Sequence, residues 1–253
     1  MTDFDIVADN EETEQLFSRV LDQSLNLSEI SFKYISHEGL MRIATSQCCR
    51  SLRTIKAKVG KESGGVIKTL CQACPNLIAL RLTFDINVSL ITDVIIVAIV
   101  HYCPFIEVLP TGHLTNISMR ALATIHTLKE FRLFFSNCTS AAVQRVIEAN
   151  PRLTNISLGG KYVDYSLVMC IGRHCRNLRS SYLSSPFSDT AALSNGALQD
   201  LFRGCSVLES FHLSQPGGIW TATVRFMFEN CRHLTDLHLD SSCWLATGGH
   251  PLY

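Results

Sequence analysis

Cysteine and histidine are the residues with which this chain could do chemistry, and it contains eleven of the first and nine of the second. The spacing Cys71-x-x-Cys74 is that of half a zinc site or of a redox pair. A zinc site needs a second pair of ligands, and the other close pairs, Cys48–Cys49 and Cys170–Cys175, do not supply one at a suitable spacing. No recurring histidine or aspartate accompanies the cysteines, as a nucleophilic thiol would require. We therefore predict no metal ion, no cofactor and no catalytic residue, and conclude that the chain is not an enzyme.

The charges and the apolar runs exclude further classes of function. Lysine plus arginine and aspartate plus glutamate both number 22, so no net charge favours nucleic acid or an acidic membrane surface. The longest apolar run, Val94–Val100, is too short to cross a bilayer. The acidic residues 1–15 lack the basic and apolar regions of a signal peptide. These features predict a soluble protein of the cytoplasm or nucleus with free thiols.

Asn-x-Ser/Thr sequons are the one observation that points to secretion, where they would mark glycan sites. They begin at Asn26, Asn87, Asn116, Asn137 and Asn155. A secreted, glycosylated recognition protein therefore stays an alternative, although serine and threonine are abundant in this chain.

A repeated segment of the sequence predicts the strands and helices on which the cysteines and histidines lie. Its clearest copy is CPNLIALRL, from Cys74 to Leu82, and the same pattern returns about every 25 residues, a spacing typical of leucine-rich repeats. The first apolar residues of the copies are Leu27, Leu52, Leu77, Ile106, Leu128, Leu153, Leu178, Leu208 and Leu234. Six of the eleven cysteines lie three residues before such a position, namely Cys49, Cys74, Cys103, Cys175, Cys205 and Cys231.

Each repeat contains a short strand and a helix. The last two apolar residues of a copy, such as Leu80 and Leu82, are two positions apart and therefore point to one face of a strand. The segment before each copy has apolar residues at helical spacing, as in Leu198, Leu201 and Phe202. One repeat cannot bury its apolar face alone, so the repeats must stack with their strands parallel.

These copies resemble the cysteine-containing leucine-rich repeats of F-box/leucine-rich-repeat proteins and of related mitotic-exit-antagonist proteins, within the ribonuclease-inhibitor-like superfamily. Residues 35–40 (ISHEGL) and 91–93 (ITD) match the beginning of that repeat, and the cysteine-centred copies match its end. The resemblance implies an α/β solenoid shaped as a horseshoe, with parallel strands on the concave face and helices on the convex face. It also implies protein binding, including substrate recognition in SCF-dependent protein degradation.

The repeats divide the chain into three parts. We predict an acidic segment with a capping helix in residues 1–23, about nine repeats in residues 24–243, and a tail in residues 244–253. No F-box can be placed before Leu27, and no helix is predicted after Leu239 to cover the last repeat. Ser181 and Thr111 occupy core positions, so their strands should be weaker than the others.

Residues that alternate with the core positions of the strands must point to the opposite face of the sheet. The column between the last two core positions reads Ser31, Lys56, Arg81, Pro110, Arg132, Ser157, Tyr182, His212 and His238. The next column contains Lys33, Lys58, Thr83, Phe134 and Gly159. We predict that a protein partner binds this concave face. The candidate residues are Lys33, Lys56, Lys58, Arg81, Arg132, Tyr182, His212 and His238.

The basic residues of this face suggest that the partner segment is acidic or phosphorylated. Two hypotheses remain open for the function. The first is substrate recognition in a cullin-type ubiquitin ligase pathway. The second is a stoichiometric scaffold or inhibitor of the ribonuclease-inhibitor type, unrelated to ubiquitination. Neither requires a nucleic acid or a membrane as partner.

Overall fold

The computed structural model describes residues 17, 19–60, 64–84, 91–110, 112–134, 136–185, 193–214, 217–240 and 243–246. The chain forms two compact units, Met1–Leu114 and Thr115–Tyr253. Each unit contains parallel strands that alternate with helices, so the predicted α/β leucine-rich-repeat fold is confirmed. Three features of the sequence lie outside the described residues. They are Thr111, the sequon that begins at Asn87, and the tail after Ala246.

In the first unit, three parallel strands pair in the order β1 (Glu29–Ile35), β2 (Thr54–Val59) and β3 (Ala79–Phe84). Three helices follow them, namely α1 (His37–Thr45), α2 (Gly64–Ala73) and α3 (Asp93–Tyr102). Residues 17 and 19–23 are also helical, and Phe17 packs edge-on against Phe32 of β1 with ring centroids 5.3 Å apart. This contact helps to bury Phe32 on the core side of the first strand.

The strand expected after Ile106 is reduced to a single bridge between Ala79 and Val108. Val108 exchanges backbone hydrogen bonds with Ile78 and Leu80, at 3.2 and 2.9 Å. The next bond of the ladder would need a donor at Pro110, and proline has no backbone N–H. The ladder therefore ends there, although Ile106 is fully buried as a core residue.

In the second unit, five strands pair in parallel in the order β4-β5-β6-β7-β9. The strands β4 to β7 span Glu130–Phe134, Asn155–Gly159, Ser180–Ser184 and Ser210–Ser214, and β9 spans Asp236–Leu239. The helices α4 to α8 span Asn116–Leu122, Ser140–Ala149, Tyr165–His174, Asn195–Gly204 and Thr221–Asn230.

Two further strands of the second unit are not predicted by the sequence pattern. Strand β8 (Gly217–Trp220) precedes α8, and β10 (Cys243–Ala246) pairs with it in parallel after β9. This last strand spans the predicted boundary between the repeats and the tail of residues 244–253.

Several of the helices begin where a side chain can satisfy their first free N–H groups. Ser36 accepts from Gly39 N before α1, and Ser194 accepts from Ala197 N before α7. Asp164 does the same for Leu167 N before α6. None of the described helices has the length and apolar character needed to cross a bilayer.

The core lies between the strands and the helices. The first apolar residue of each repeat from Leu52 to Leu208 has no accessible surface. Leu27 and Leu234, in the first and last repeats, are half-buried. Ser181 occupies a core position of β6, as predicted, and is 1% exposed. Among the described residues, its hydroxyl has no hydrogen-bond partner.

Replacing Ser181 by alanine should raise the free energy of unfolding by about 1 kcal/mol, because the hydroxyl is removed from water without a compensating bond. Urea unfolding measures the change. Ser210→Ala is the matched control, since the Ser210 hydroxyl donates to Asp236 at 2.9 Å and its loss should bring no gain. A less stable Ser181→Ala protein would contradict the prediction.

Candidate functional site

The first unit presents a row of basic side chains on the face of its sheet. Ser31, Lys56 and Arg81 are in register on the three strands, as the column predicted. Lys56 and Lys58 are exposed, whereas Ile55 and Ala57, which alternate with them along β2, are buried. Parallel strands lie about 4.8 Å apart, so Lys56 and Arg81 are close neighbours on this face.

A β-bulge in β1 changes the neighbours of Lys33. Phe32 pairs with Ala57 and Ile35 with Val59, so Lys33 and Tyr34 together oppose the single residue Lys58. Tyr34 is 43% exposed and was missed in the sequence, because strict alternation places it on the other face. We define the basic strip as Lys33, Lys56, Lys58 and Arg81.

The second unit presents a different row. Arg132, Ser157, Tyr182, His212 and His238 are in register on five adjacent strands, as the same column predicted. The rings of Tyr182 and His212 are 6.3 Å apart, and those of His212 and His238 are 5.4 Å apart. Its last three residues therefore form a continuous surface of aromatic and imidazole rings.

Phe134 extends this row from the next column. Its ring lies edge-on to Tyr182 at 5.7 Å between centroids. A Cβ atom on Gly159 would lie 2.6 Å from the Phe134 ring, so glycine is the residue that lets Phe134 lie across β5. We define the aromatic row as Phe134, Tyr182, His212 and His238.

Carboxylates flank the aromatic row, and sequence reasoning missed them. Asp236 accepts hydrogen bonds from His212 Nε2 at 2.6 Å and from the Ser210 hydroxyl at 2.9 Å. The bond from His212 is the main reason why the pKa of Asp236 lies below its usual value. Asp240 accepts from the Ser214 hydroxyl at 2.8 Å. The end of the sheet at β9 is thus acidic, in contrast to the basic strip of the first unit.

Arg132 stands at the opposite edge of this sheet, on β4. Its guanidinium lies 3.4 Å from the carboxylate of Glu130, two residues earlier on the same strand. Arg132 is therefore part of an exposed ion pair, not a simple continuation of a basic surface.

The cysteines of the repeats are packing residues. The thiol of Cys205 donates to the backbone oxygen of Cys175 at 3.3 Å, and that of Cys231 donates to Cys205 O at 3.6 Å. Burial raises the pKa of Cys231 to about 11 and that of Cys205 to about 12. These thiols are therefore protonated near neutral pH and poor nucleophiles.

One of the six marker cysteines was assigned wrongly. Cys48 is fully buried and Cys49 is half-buried, so Cys48 holds the core position. A short 3-10 helix at Gln47–Arg50 adds one residue to this turn, and Leu52 N–H donates to Cys48 O. In the later repeats the same bond joins residues three apart, as between Leu77 and Cys74.

The structure also brings together a group that the cysteine spacing does not suggest. Glu148 of α5 and Cys170 and His174 of α6 have potential metal-ligand atoms within 4.8 Å of one another. Cys170 and His174 are one helical turn apart, and that spacing was the available signal. Glu148 comes from the neighbouring repeat, so only the packing of the two helices completes the group.

No family model and no curated protein matches the sequence. Solved structures resemble the fold. The crystal structure of the yeast Rad7 and Elc1 complex has a TM-score of 0.50 at 14% identity, covering 93% of this chain and 75% of that chain. The leucine-rich-repeat-containing protein LegL7 of Legionella pneumophila has a TM-score of 0.41 at 11% identity, with coverages of 88% and 77%. TLR13 in complex with ssRNA13 has a TM-score of 0.44 at 12% identity, with coverages of 91% and 38%. At these identities the similarity is one of fold alone.

Proposed function

We propose that this chain is a non-catalytic protein-interaction module and that its basic strip binds an acidic or phosphorylated segment of a partner protein. The observation that carries the proposal is the register of Lys56 and Arg81 on adjacent parallel strands, with Lys33 and Lys58 beside them. A chain with a net charge of zero has concentrated positive charge on one sheet face.

The chemistry of the strip suits such a partner. Lysine and arginine make charge-assisted hydrogen bonds to carboxylate and phosphate oxygens, which are stronger than bonds between neutral groups. The strands hold the backbone of these residues at a fixed spacing. Less conformational entropy is therefore lost on binding than if the residues lay on a flexible segment. Because the three lysines are exposed and Arg81 is half-buried, the attraction should weaken as salt concentration rises.

The aromatic row of the second unit provides a second binding surface. Tyrosine is enriched among the residues that dominate the free energy of protein association. Tyr182 is half-buried between Phe134 and His212, so little of its freedom is lost when a partner covers it. We assign Arg132, Tyr182, His212 and His238 to this surface.

The charge-reversed double variant Lys33→Glu with Lys56→Glu should lose at least about tenfold in partner capture, because both exposed cations become repulsive to an acidic segment. The protein is used to capture partners from a cell extract, and the captured proteins are quantified by mass spectrometry. Captured proteins should be enriched in acidic or phosphorylated segments. Phosphatase treatment should release the proteins that are captured through phosphorylated segments.

The matched control is Arg50→Glu with Lys68→Glu, which makes the same change in net charge in the same unit. Arg50 and Lys68 are exposed on the helical turns, away from the basic strip. Both double variants should keep the melting temperature of the unchanged protein. Equal capture by the two double variants would contradict the proposal.

We further propose that the captured protein is a substrate in a cullin-type ubiquitin ligase pathway. Two observations support this: the resemblance of the repeats to those of F-box/leucine-rich-repeat proteins, and the similarity in fold to Rad7, which forms a complex with Elc1. The same capture experiment tests the pathway, since a cullin adaptor should appear among the captured proteins. A single partner in fixed ratio without an adaptor would instead favour a scaffold or inhibitor.

A further inference from the structure

The helix side of the second unit contains a cluster of three groups that are chemically suited to one metal ion. Cys170 and His174 lie at positions i and i+4 of α6, and therefore on one face of that helix. Glu148 lies on α5, which packs beside α6. The sulfur, ring nitrogen and carboxylate oxygen are all within 4.8 Å of one another.

The three donors match the preferences of zinc. Zn²⁺ binds thiolate sulfur, imidazole nitrogen and carboxylate oxygen, and sites with three protein ligands keep a fourth position for water. A thiolate and a carboxylate together balance the two positive charges of the ion, and a neutral imidazole adds none. Calcium and magnesium prefer sets of oxygen ligands and would not favour the thiol.

The geometry requires only small adjustments. Tetrahedral zinc with its usual bond lengths places neighbouring ligand atoms about 3.5 Å apart, so the three atoms need to approach one another by at most about 1.3 Å. Glu148 and His174 are exposed, and their side chains can rotate to close this gap. Cys170 is 6% exposed and supplies the fixed point of the cluster.

The Cys170 thiol also lacks a strong partner that would compete with a metal. Its described contact is a donation to the backbone oxygen of Gln144 at a sulfur–oxygen distance of 3.9 Å, near the outer limit for such a bond. Burial and the nearby Glu148 raise its pKa to about 12, so the thiol is protonated without a metal. A bound zinc ion would displace that proton.

We propose that Glu148, Cys170 and His174 bind one Zn²⁺ ion, with water as the fourth ligand. The ion joins α5 to α6 and therefore ties two neighbouring repeats together outside the core. Because the ligands come from two helices, the folded chain binds the ion more tightly than the unfolded chain does. Zinc therefore stabilises the fold by mass action. This site is independent of the basic strip.

Titration with Co²⁺, which replaces zinc and absorbs visibly, tests the site in the full-length chain with its thiols kept reduced. We expect one equivalent of Co²⁺ to give the charge-transfer absorption of a cobalt–thiolate bond. Cys170→Ser should abolish this absorption. His174→Ala and Glu148→Gln should weaken Co²⁺ binding by more than about tenfold, since even losing a residue behind a ligand costs that much.

A thermal scan with Zn²⁺ gives a second readout. Zinc should raise the melting temperature of the unchanged protein and of Cys49→Ser, a variant of a half-buried thiol outside the cluster. It should not raise that of His174→Ala or Glu148→Gln. Both substituted side chains are exposed, so these variants should fold even if Cys170→Ser does not.

The proposal is overturned if the unchanged protein gives no cobalt–thiolate absorption. It is also overturned if the absorption persists in Cys170→Ser, because the metal is then held elsewhere. Undiminished Co²⁺ binding in both His174→Ala and Glu148→Gln would equally exclude the three-ligand site.

Discussion

Replacing Gly204 by alanine should lower the free energy of unfolding by about 3 kcal/mol, because it would force two packed helices apart. Gly204 is the last residue of α7, and a Cβ atom there would lie 1.7 Å from the backbone oxygen of Gly172 in α6. That atom belongs to the backbone and cannot rotate away. Gly172 faces the same contact, with its own Cβ position 2.6 Å from Asp200 O.

Gly196→Ala provides the control in the same helix. A Cβ atom on Gly196 would have Ser194 Oγ as its nearest neighbour, at 3.8 Å, which is ordinary contact. Alanine favours the helix over glycine by up to about 1 kcal/mol, so this variant should be unchanged or slightly more stable. Urea unfolding of both variants measures the difference. Similar free energies for the two would show that α6 and α7 do not approach as described.

Asn150→Ala should lower the free energy of unfolding by about 2 to 3 kcal/mol. Asn150 occupies the position that cysteine holds in most of the other repeats and has no accessible surface. Its Oδ1 accepts from Leu128 N–H at 3.0 Å, and its Nδ2 donates to Val146 O at 2.9 Å. Alanine removes both bonds, leaves the Leu128 N–H buried without this acceptor and opens a small cavity.

Asn230→Ala is the matched comparison for this change. Asn230 is half-buried and donates one bond, to Phe226 O at 2.8 Å. Its loss should cost less than about 1 kcal/mol, since water can replace the bond. Chemical denaturation with probes of secondary structure measures both variants. An Asn150→Ala protein as stable as Asn230→Ala would refute the bridging role of Asn150.

The aromatic row depends on Gly159 as the contact between α6 and α7 depends on Gly204, because a larger side chain would not fit at either place. The sequence places Tyr182, His212 and His238 in one column, because successive strands in register present equivalent residues side by side. It does not show that Gly159 makes room for Phe134, or that Asp236 holds His212. Those neighbours depend on side-chain orientation, which only the packed sheet defines.

Repeat spacing alone was enough to predict the fold, the core positions and most of the outward columns. A parallel ladder keeps its register once one residue of each repeat is aligned, so Lys56 falls beside Arg81, and His212 beside His238. Places where a strand departs from strict alternation were not predictable. The bulge at Lys33 and Tyr34 and the extra residue that makes Cys48 the buried cysteine are such departures.

The helix side was decided by the tertiary structure. Helices of neighbouring repeats are joined by connections of different lengths, so the repeat period does not define which of their residues meet. The contact of Gly172 with Gly204 and the cluster of Glu148, Cys170 and His174 arise there. Hydrogen bonds between strands place equivalent positions of successive repeats side by side, whereas the neighbours of a helix are determined by side-chain packing.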